Sequence, residues 1–442
     1  MMRKSLTTLV VFSALVLWGA MTRPAAAQGA QQNQNAAPQY TMPEYNAYQA
    51  AANEKDAKQR IKLLDDFVAK FPNSTLLPYV YQAYWDAYGQ LRNYAKVSEN
   101  TEKYLAMGEK NPVPNRLTAA YQHSFSLEPG YNPKDPNAKD YLTKGRDVAQ
   151  QGLKLLDQFQ KPANMTDAQF NDQVKRPVTA TLQLAIGFAD LQLKDCAGAV
   201  DAYKALLAGT PTDPVVNYRL AVSYICMNPP QQMDGFWYLA RAVDLKIPDT
   251  DKIKDYLRKQ MIAYQQPTCE NLIDAQLNEL LQLAANSTDR PATYSVPSVT
   301  DLQKVAGSST ILTVLTDLKG GGDKAKLTWL AICGAEFPEV VGKVIDVTPG
   351  PDAVVLHLYT GATPEEIQAA TTANMEVKVE GQPEASRLQK DDGARFKGTL
   401  SGYDPEPFML HWDKATVNPE DIPAEKAGGK RTPHKVPPKP GK

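Results

Sequence analysis

Two segments of the chain repeat the same pairing of a large and a small apolar residue at a step of 34 residues. Ile186 and Gly187 recur as Leu220 and Ala221. A fixed period of this length is typical of architectures that stack one supersecondary unit several times. Each unit buries its remaining apolar face only against a neighbour, so such units occur in arrays. The spacing therefore predicts a stack of helical hairpins.

The residues between the two pairs follow a recognisable order. A small, an aromatic and an apolar residue precede a helix-ending proline: Ala199, Tyr203, Leu206 and Pro211. This order resembles the tetratricopeptide repeat, although Gln183 and Asp190 stand where the family places aromatic residues. The next repeat supplies Leu220, Ala221, Tyr224, Gly235, Leu239, Ala242 and Pro248, with two extra residues in its turn. The resemblance implies a helical solenoid that binds other proteins, without specifying a partner.

The helical pattern extends on both sides of these repeats. Apolar residues at helical spacing begin near Pro43 and end near Ala284, with one enlarged and irregular hairpin between Pro114 and Lys175. We therefore expect a helical repeat domain over residues 43–285. A Ser-, Thr- and Pro-containing linker and a mixed segment, interpreted as a helix followed by an extended piece, should occupy residues 286–338.

Beyond residue 339 the apolar period changes from 3.6 to 2, which is typical of strands. The strand candidates are Val340–Val347, Val354–Tyr359, Met375–Val379, Arg395–Leu400 and Phe408–Trp412, with a short helix at Pro364–Thr372. The closing stretch resembles the OB-fold class, and a small five-stranded barrel is expected over residues 339–418. An unrelated β-sandwich gives almost the same pattern. The predicted fold class is α+β, with a helical solenoid and a small barrel as separate domains.

The two ends of the sequence have unusual composition. Arg3 and Lys4, an apolar run from Leu9 to Trp18 and alanines up to Ala27 match a secretory signal peptide over residues 1–27. The alternative is an uncleaved anchor. Residues 28–42 are expected to be a flexible leader, and residues 419–442 a disordered, basic, Pro-rich tail. These features predict a periplasmic or secreted protein without a membrane span after cleavage.

The chain has four cysteines, Cys196, Cys226, Cys269 and Cys333. In an exported protein, cysteines without CxxC spacing favour disulfides over metal ligation. In the repeat register, Cys196 begins a second helix and Cys226 ends the first helix of the next hairpin, so the two should lie within reach of each other. The alternative is two buried free thiols. A bridge from Cys269 to Cys333 would tie the repeats to the following domain.

The sequence contains none of the common catalytic motifs for zinc proteases, nucleophile elbows, phosphate loops or dinucleotide binding. His123, His357, His411 and His434 are scattered along the chain and give no metal triad. The formal net charge of -1 disfavours nucleic acid as a partner. We therefore expect neither enzymatic activity nor a cofactor or metal.

The repeats predict a binding surface. In the family resembled, the concave surface comes mainly from the first helix of each hairpin, and the corresponding positions are Leu184, Phe188, Leu191, Tyr218, Val222 and Ile225. This apolar groove suits an amphipathic helix or an extended peptide. The alternative is that another segment of the same chain fills it.

Three functional hypotheses follow. The first is a non-enzymatic scaffold or adaptor of a bacterial envelope that binds a protein partner in the groove. The second is a glycan or envelope-polymer binding module that uses barrel aromatics as a stacking platform: Tyr359, Phe396, Tyr403 and Trp412. Those aromatics could equally form the core of the barrel. The third is an enzyme without a recognisable motif.

Overall fold

The computed structural model describes residues 40–424. The predicted signal peptide, most of the leader and most of the basic tail therefore lie outside the described residues. The chain divides into two compact units between Pro248 and Asp249.

The first unit consists of helices arranged as consecutive hairpins. Its α-helices are α1 (Met42–Asn53), α2 (Ala57–Lys70), α3 (Leu77–Gln90), α4 (Tyr94–Leu105), α5 (Val113–Gly130), α6 (Ala138–Gln158), α7 (Asp167–Phe170), α8 (Arg176–Leu193), α9 (Cys196–Gly209), α10 (Pro214–Cys226) and α11 (Gln232–Asp244). A π-helical turn, Asn171–Lys175, joins α7 to α8. The helices pack in pairs along the chain, α3 on α4, α5 on α6, α8 on α9 and α10 on α11.

Short polar side chains set where many of these helices begin. Asp56, Asn93, Asp195 and Asp213 each precede a helix and accept hydrogen bonds from backbone amides of its first turn. Such caps satisfy amides that have no partner within the helix, and each contributes about 1 kcal/mol. At these four positions, the start of the helix is therefore encoded locally by one residue.

The small residues of the repeat explain how closely the paired helices approach. A Cβ atom added at Gly187 on α8 would lie 2.7 Å from the ring of Tyr203 on α9. One added at Gly235 on α11 would lie 2.5 Å from Ile225 on α10. Close packing of this kind leaves no room for a larger side chain. The equivalent position in the earlier hairpin is Trp85, whose ring packs edge-on against Tyr104 at 5.3 Å instead.

A disulfide joins two neighbouring helices of the first unit. Cys196 at the start of α9 is bonded to Cys226 at the end of α10, with their Cα atoms 5.9 Å apart. The bond closes a loop between residues separated by 30 positions. It thus connects two consecutive hairpins.

The second unit begins with helices that continue the helical pattern of the sequence. They are α12 (Thr250–Gln265), α13 (Asn271–Asn286), α14 (Val299–Ser308), α15 (Ile311–Gly320) and α16 (Gly322–Ile332). The expectation of one helix and an extended piece between 299 and 332 is corrected here, because the segment forms three helices. Ser298 and Thr310 each form a reciprocal cap with the residue three positions later, which starts two of these short helices.

The strands of the second unit form a closed barrel. They are β1 (Glu336–Pro349), β2 (Ala353–Tyr359), β3 (Met375–Glu380), β4 (Gly393–Pro405) and β5 (Phe408–Val417). Their order around the barrel is β1-β2-β3-β5-β4, with β3 and β5 parallel and all other pairs antiparallel. Helix α17 (Pro364–Ala369) lies between β2 and β3 in the chain. Each of the five strand candidates falls within one observed strand.

The core of the barrel also includes residues from the preceding helices. Val314, Leu315, Leu318, Ala325 and Ile332 belong to the same buried cluster as the inward residues of all five strands. The second disulfide, Cys269–Cys333, lies entirely within this unit and joins the α12–α13 connection to the end of α16. The predicted domain boundaries at 285 and 338 stay a prediction, whereas the compact division falls at 248.

Helices long and apolar enough to cross a membrane are absent from residues 40–424.

Candidate functional site

The predicted groove residues lie on two helices of the first unit. Leu184, Phe188 and Leu191 are on α8, whereas the other three are on α10: Tyr218, Val222 and Ile225. All six side chains are partly exposed. The small and large residues that flank them, including Gly187, Leu220 and Ala221, are buried. This alternation shows that α8 and α10 each bury one side and leave an apolar strip partly open.

The two helices share one core beneath this surface. Leu184 and Leu191 of α8 pack against a buried cluster that includes Leu220 and Tyr224 of α10. Phe188 packs instead against the cluster that includes Leu117 and Leu182, and Ile225 lies against Gly235 of α11.

The end of α5 reaches both groove helices. Tyr131 follows α5, and its ring packs edge-on against Phe188 of α8 with centroids 5.6 Å apart. Glu128 of α5 accepts two hydrogen bonds from the guanidinium of Arg219 on α10, at 2.7 and 2.9 Å. Both bonds come from Nη2 of Arg219. The first helices of three successive hairpins are thus joined by one aromatic contact and one charge-assisted ion pair.

These contacts also show what the sequence analysis missed. Glu128, Tyr131 and Arg219 were not among the predicted site residues, because Glu128 and Tyr131 flank the Pro-Gly pair at the end of α5 and Arg219 is a polar position beside Tyr218. Tyr131 covers part of Phe188, so a neighbouring segment of the chain occupies part of the surface. Burial raises the pKa of the Tyr218 phenol, which therefore stays neutral near pH 7. The site offers apolar surface and neutral or paired polar groups, without an acid–base pair.

The barrel aromatics divide into two groups. Phe396 and Trp412 are buried in the core, where their rings meet edge-on at 5.3 Å. Tyr359 and Tyr403 are partly exposed, and Tyr403 packs on Trp329 of α16. Buried rings cannot stack on a ligand. Of the four aromatic residues predicted to stack on a glycan, Tyr359 and Tyr403 therefore remain accessible, and Phe396 and Trp412 do not.

Acidic and imidazole side chains alternate around the outside of the barrel. His357 Nδ1 lies 3.8 Å from Asp346 Oδ2, and His357 Nε2 lies 3.5 Å from Glu376 Oε2. His411 Nδ1 lies 3.2 Å from Glu376 Oε1, and His411 Nε2 lies 2.9 Å from Asp404 Oδ2. Each strand contributes one of these five residues. We call this row the acid–imidazole ladder.

The ladder determines the charge of His411. Ionised carboxylates only accept hydrogen bonds, so an imidazole that bonds two of them must carry a proton on each nitrogen. Partial burial alone would lower the pKa of His411, but the hydrogen bonds to Asp404 and Glu376 raise it above its usual value. The cation thus links β3, β5 and β4.

Replacing His411 by glutamine should destabilise β4 and β5 at pH 6 and have less effect on their stability at pH 9. A histidine with a raised pKa in the folded state contributes stability that is present below its unfolded pKa and is lost as the pH rises through its folded pKa. We expect the variant to lose about 1 kcal/mol of stability at pH 6, which is typical of a partly exposed ion pair. The hydrogen exchange of β4 and β5 peptides, corrected for the intrinsic pH dependence, measures this loss. His357→Gln is the control, because its contacts are longer, and equal effects of both variants would contradict the assignment.

No three His, Cys, Asp or Glu residues between positions 40 and 424 are grouped so that they could hold a metal ion.

Comparisons with known proteins give no family assignment. No protein-family model matches the chain, and no curated protein matches it in sequence. Among solved structures, the MamA RS-1 ArsTM double mutant is 16% identical, covering 49% of this chain and 98% of its own, with a TM-score of 0.31. PilW, described as a widely conserved type IV pilus biogenesis factor, is 15% identical over 55% of this chain and 98% of its own, also with a TM-score of 0.31.

A third similar structure is the C-terminal part of a TPR repeat-containing protein from Cytophaga hutchinsonii. It is 14% identical, covers 55% of this chain and 95% of its own, and has a TM-score of 0.23. At these identities and scores, the similarities carry no functional argument. The functional interpretation rests on the chain's own residues.

Proposed function

We propose that this chain is a non-enzymatic scaffold or adaptor of the bacterial envelope that binds a protein segment along the apolar groove of α8 and α10. The observation that carries the proposal is the set of six partly exposed apolar side chains on α8 and α10, two of which, Leu184 and Leu191, pack on a core that both helices share. Soluble proteins seldom expose contiguous apolar surface without a partner for it. An amphipathic helix or an extended peptide has the shape and chemistry to cover such a row.

The ion pair at the edge of the groove suits a protein partner. Arg219 keeps about a fifth of its side-chain surface exposed, and Glu128 keeps about half. Protein interfaces commonly combine an apolar centre with a polar and solvent-accessible rim. Backbone amides or charged side chains of a bound segment could therefore bond to this rim while its apolar residues cover Phe188 and Val222.

Other features of the chain support the proposed repeat architecture, barrel type and export. Close helix pairing at Gly187 and Gly235 supports a tetratricopeptide-type array. The barrel order β1-β2-β3-β5-β4 supports an OB-type domain within residues 339–418. Two disulfides and the charged, apolar and alanine-rich start of the sequence support export to an oxidising compartment.

Changing Phe188 and Val222 together to glutamate should abolish partner binding, because two buried carboxylates would oppose association. Cells that express the tagged full chain are crosslinked, and the captured proteins are compared by mass spectrometry with those of the variant. We expect one specific partner to fall at least tenfold in recovery, while circular dichroism and the Cys196–Cys226 bond stay unchanged.

Leu91→Glu is the matched control, since Leu91 is an exposed apolar residue at the end of α3 in the same unit. Its capture profile should equal that of the wild type. If the double variant unfolds, Val222→Glu alone is tested in the same way. Unfolding of that single variant too would assign these residues to the core and reject the groove.

A further inference from the structure

The first unit contains a cavity between α2, α3 and α4 that has no part in the groove. Its volume is about 340 Å³. Cavities that bind small molecules commonly have volumes of about 300–1,000 Å³. Tyrosines of α3 form one wall of this cavity, and charged and amide side chains of α2 and α4 contribute to the others. The cavity therefore combines aromatic and polar surface, as sites for small polar ligands do.

Three tyrosines line one wall of the cavity. The spacing of Tyr81, Tyr84 and Tyr88 puts them on one face of α3. The rings of Tyr84 and Tyr88 are stacked, with centroids 6.1 Å apart and planes 10° from parallel. Tyr84 is buried, whereas Tyr81 and Tyr88 are partly exposed. Tyr81 and Tyr88 therefore offer apolar ring surface and a hydroxyl group each to a ligand.

The amide of Asn100 shows which kind of group a ligand should supply. Asn100 on α4 lines the cavity, although only 4% of its surface is exposed. Its Nδ2 donates to the backbone oxygen of Lys96 at 2.8 Å, whereas its Oδ1 accepts no hydrogen bond from residues 40–424. A buried acceptor without a donor is destabilising. A ligand of this cavity should therefore carry a hydrogen-bond donor.

Asp65 of α2 is a second acceptor that lines the cavity. Its Oδ1 accepts a hydrogen bond from the Tyr84 hydroxyl at 2.6 Å. Burial and this hydrogen bond raise the pKa of Tyr84, so the phenol stays protonated and donates. An ionised carboxylate has about four lone-pair sites. Asp65 forms no ion pair with any residue between 40 and 424, because the two lysines of the cavity pair with Glu99 instead. Its Oδ2 is therefore available to a ligand.

The charged groups of the cavity balance one another. Lys96 Nζ lies 2.6 Å from one carboxylate oxygen of Glu99, and Lys103 Nζ lies 2.7 Å from the other. With Asp65, the cavity has two cations and two anions. This balance favours a neutral ligand over an anion or a cation. Each ammonium group has three donors, so the lysines can also bond to a neutral ligand.

A pyranose sugar has the properties that these groups require. Its ring presents an apolar C–H face that can cover a tyrosine ring, and its neutral hydroxyls both donate and accept hydrogen bonds. Hydroxyls of one ring can donate to Asn100 Oδ1 and Asp65 Oδ2, and can accept from Lys103. A proline-rich peptide also suits a surface lined by aromatic residues, but proline has no N–H group to donate.

We propose that this cavity binds one pyranose ring of a free sugar or of a glycan chain, with Tyr88 against the ring and with Asp65 and Asn100 as acceptors for its hydroxyls. The site adds sugar binding to a chain that is proposed above to bind a protein segment. It shares no residue with the groove, so either proposal can fail without the other.

The test titrates the full chain with the methyl glycosides of glucose, galactose, mannose and N-acetylglucosamine, using calorimetry and saturation-transfer NMR. We expect saturable binding of at least one glycoside. Asp65→Asn should weaken this binding roughly tenfold, because an amide nitrogen cannot accept a hydrogen bond from a sugar hydroxyl. Asp66→Asn is the matched control, since Asp66 is the adjacent exposed acid on α2 and does not line the cavity. Its affinity should equal that of the wild type.

A second pair of variants tests the aromatic wall. Tyr88→Leu should weaken binding roughly fivefold, because it removes the ring that the sugar covers. Tyr94→Leu is its control, since Tyr94 is a partly exposed tyrosine of α4 that does not line the cavity. Circular dichroism establishes that each variant is folded. Equal affinities of Asp65→Asn and Asp66→Asn, or of the two tyrosine variants, would overturn the proposal.

A trisaccharide of the preferred sugar identifies the source of the ring. Binding at least as tight as that of the methyl glycoside indicates a glycan chain, whereas loss of binding indicates a free sugar. Decaproline is titrated as the competing ligand class. If none of the four glycosides binds saturably, the proposal is overturned, and decaproline binding that Tyr88→Leu weakens would then assign the cavity to a proline-rich segment.

Discussion

Replacing Cys269 and Cys333 together by alanine should lower the stability of the second unit by about 4 kcal/mol. The two residues are separated by 64 positions, and a crosslink over that distance restricts the unfolded chain strongly. The bond also anchors the end of α16, whose residues Ala325 and Ile332 belong to the barrel core. We expect earlier loss of amide protection in α16 and β1 peptides as urea is raised.

The pair Cys196 and Cys226 provides the comparison. The two cysteines are separated by 30 positions, so removal of this bond should lower the stability of the first unit by slightly less, about 3.5 kcal/mol. Hydrogen exchange in urea, read separately for peptides of each unit, distinguishes the two variants. Loss of protection in the first unit upon removal of Cys269 and Cys333, with the barrel unaffected, would contradict the assignment.

Acidification from pH 6.5 to pH 4 should destabilise the first unit by about 3 kcal/mol through His123 alone. His123 is fully buried on α5, and burial lowers its pKa to about 4. Thr101 gives its hydroxyl proton to backbone carbonyls, so His123 Nδ1 donates to Thr101 Oγ1 at 3.1 Å. His123 Nε2 then has no partner, and protonation would bury an N–H group without an acceptor.

The sign of this effect follows from proton binding. Between pH 4 and 6.5 the unfolded chain binds a proton at His123 that the folded chain does not, so stability falls as the pH falls. His123→Gln should abolish this dependence of stability on pH, as measured by urea unfolding of first-unit peptides at several pH values. The test does not depend on how much stability the variant loses at pH 7. An unchanged slope would show that His123 accepts a proton in the folded state. His411 acts in the opposite direction, because acid favours its bonded form.

The strands could be predicted because their burial has a simple period. In β2 each inward residue alternates with a partly exposed one, as Val354, Leu356 and Leu358 show. One buried face of a sheet imposes this alternation on the sequence. The order of the strands around the barrel was harder to predict from the sequence, since the parallel pairing of β3 with β5 brings together residues far apart in the chain.

The helices were predictable as helices but not in their grouping. The apolar period of α12 and α13 is the same as that of the preceding hairpins, and a period does not tell which core a helix joins. The three short helices between 299 and 332 depend on caps at Ser298 and Thr310 more than on a long apolar stripe. Short helices carry few repeats of the period and are therefore hard to recognise.

The positions of the predicted groove residues follow from the repeat register, whereas their contacts with other helices do not. Leu184 and Val222 follow from the position of each residue relative to Gly187 and Ala221. The contacts of Glu128 with Arg219 and of Tyr131 with Phe188 join residues more than 50 positions apart, and no local pattern encodes such pairs. The same holds for the ladder on the barrel, which needs the register of all five strands.

The most direct test of the groove is site-specific photo-crosslinking in living cells. A benzophenone amino acid is placed at Val222 in the full chain and, as a control, at Leu91. The account predicts an adduct with one other protein from position 222, lost when Phe188→Glu is added, and none from position 91. An adduct only with the chain itself would show that the protein fills its own groove, and would contradict the account.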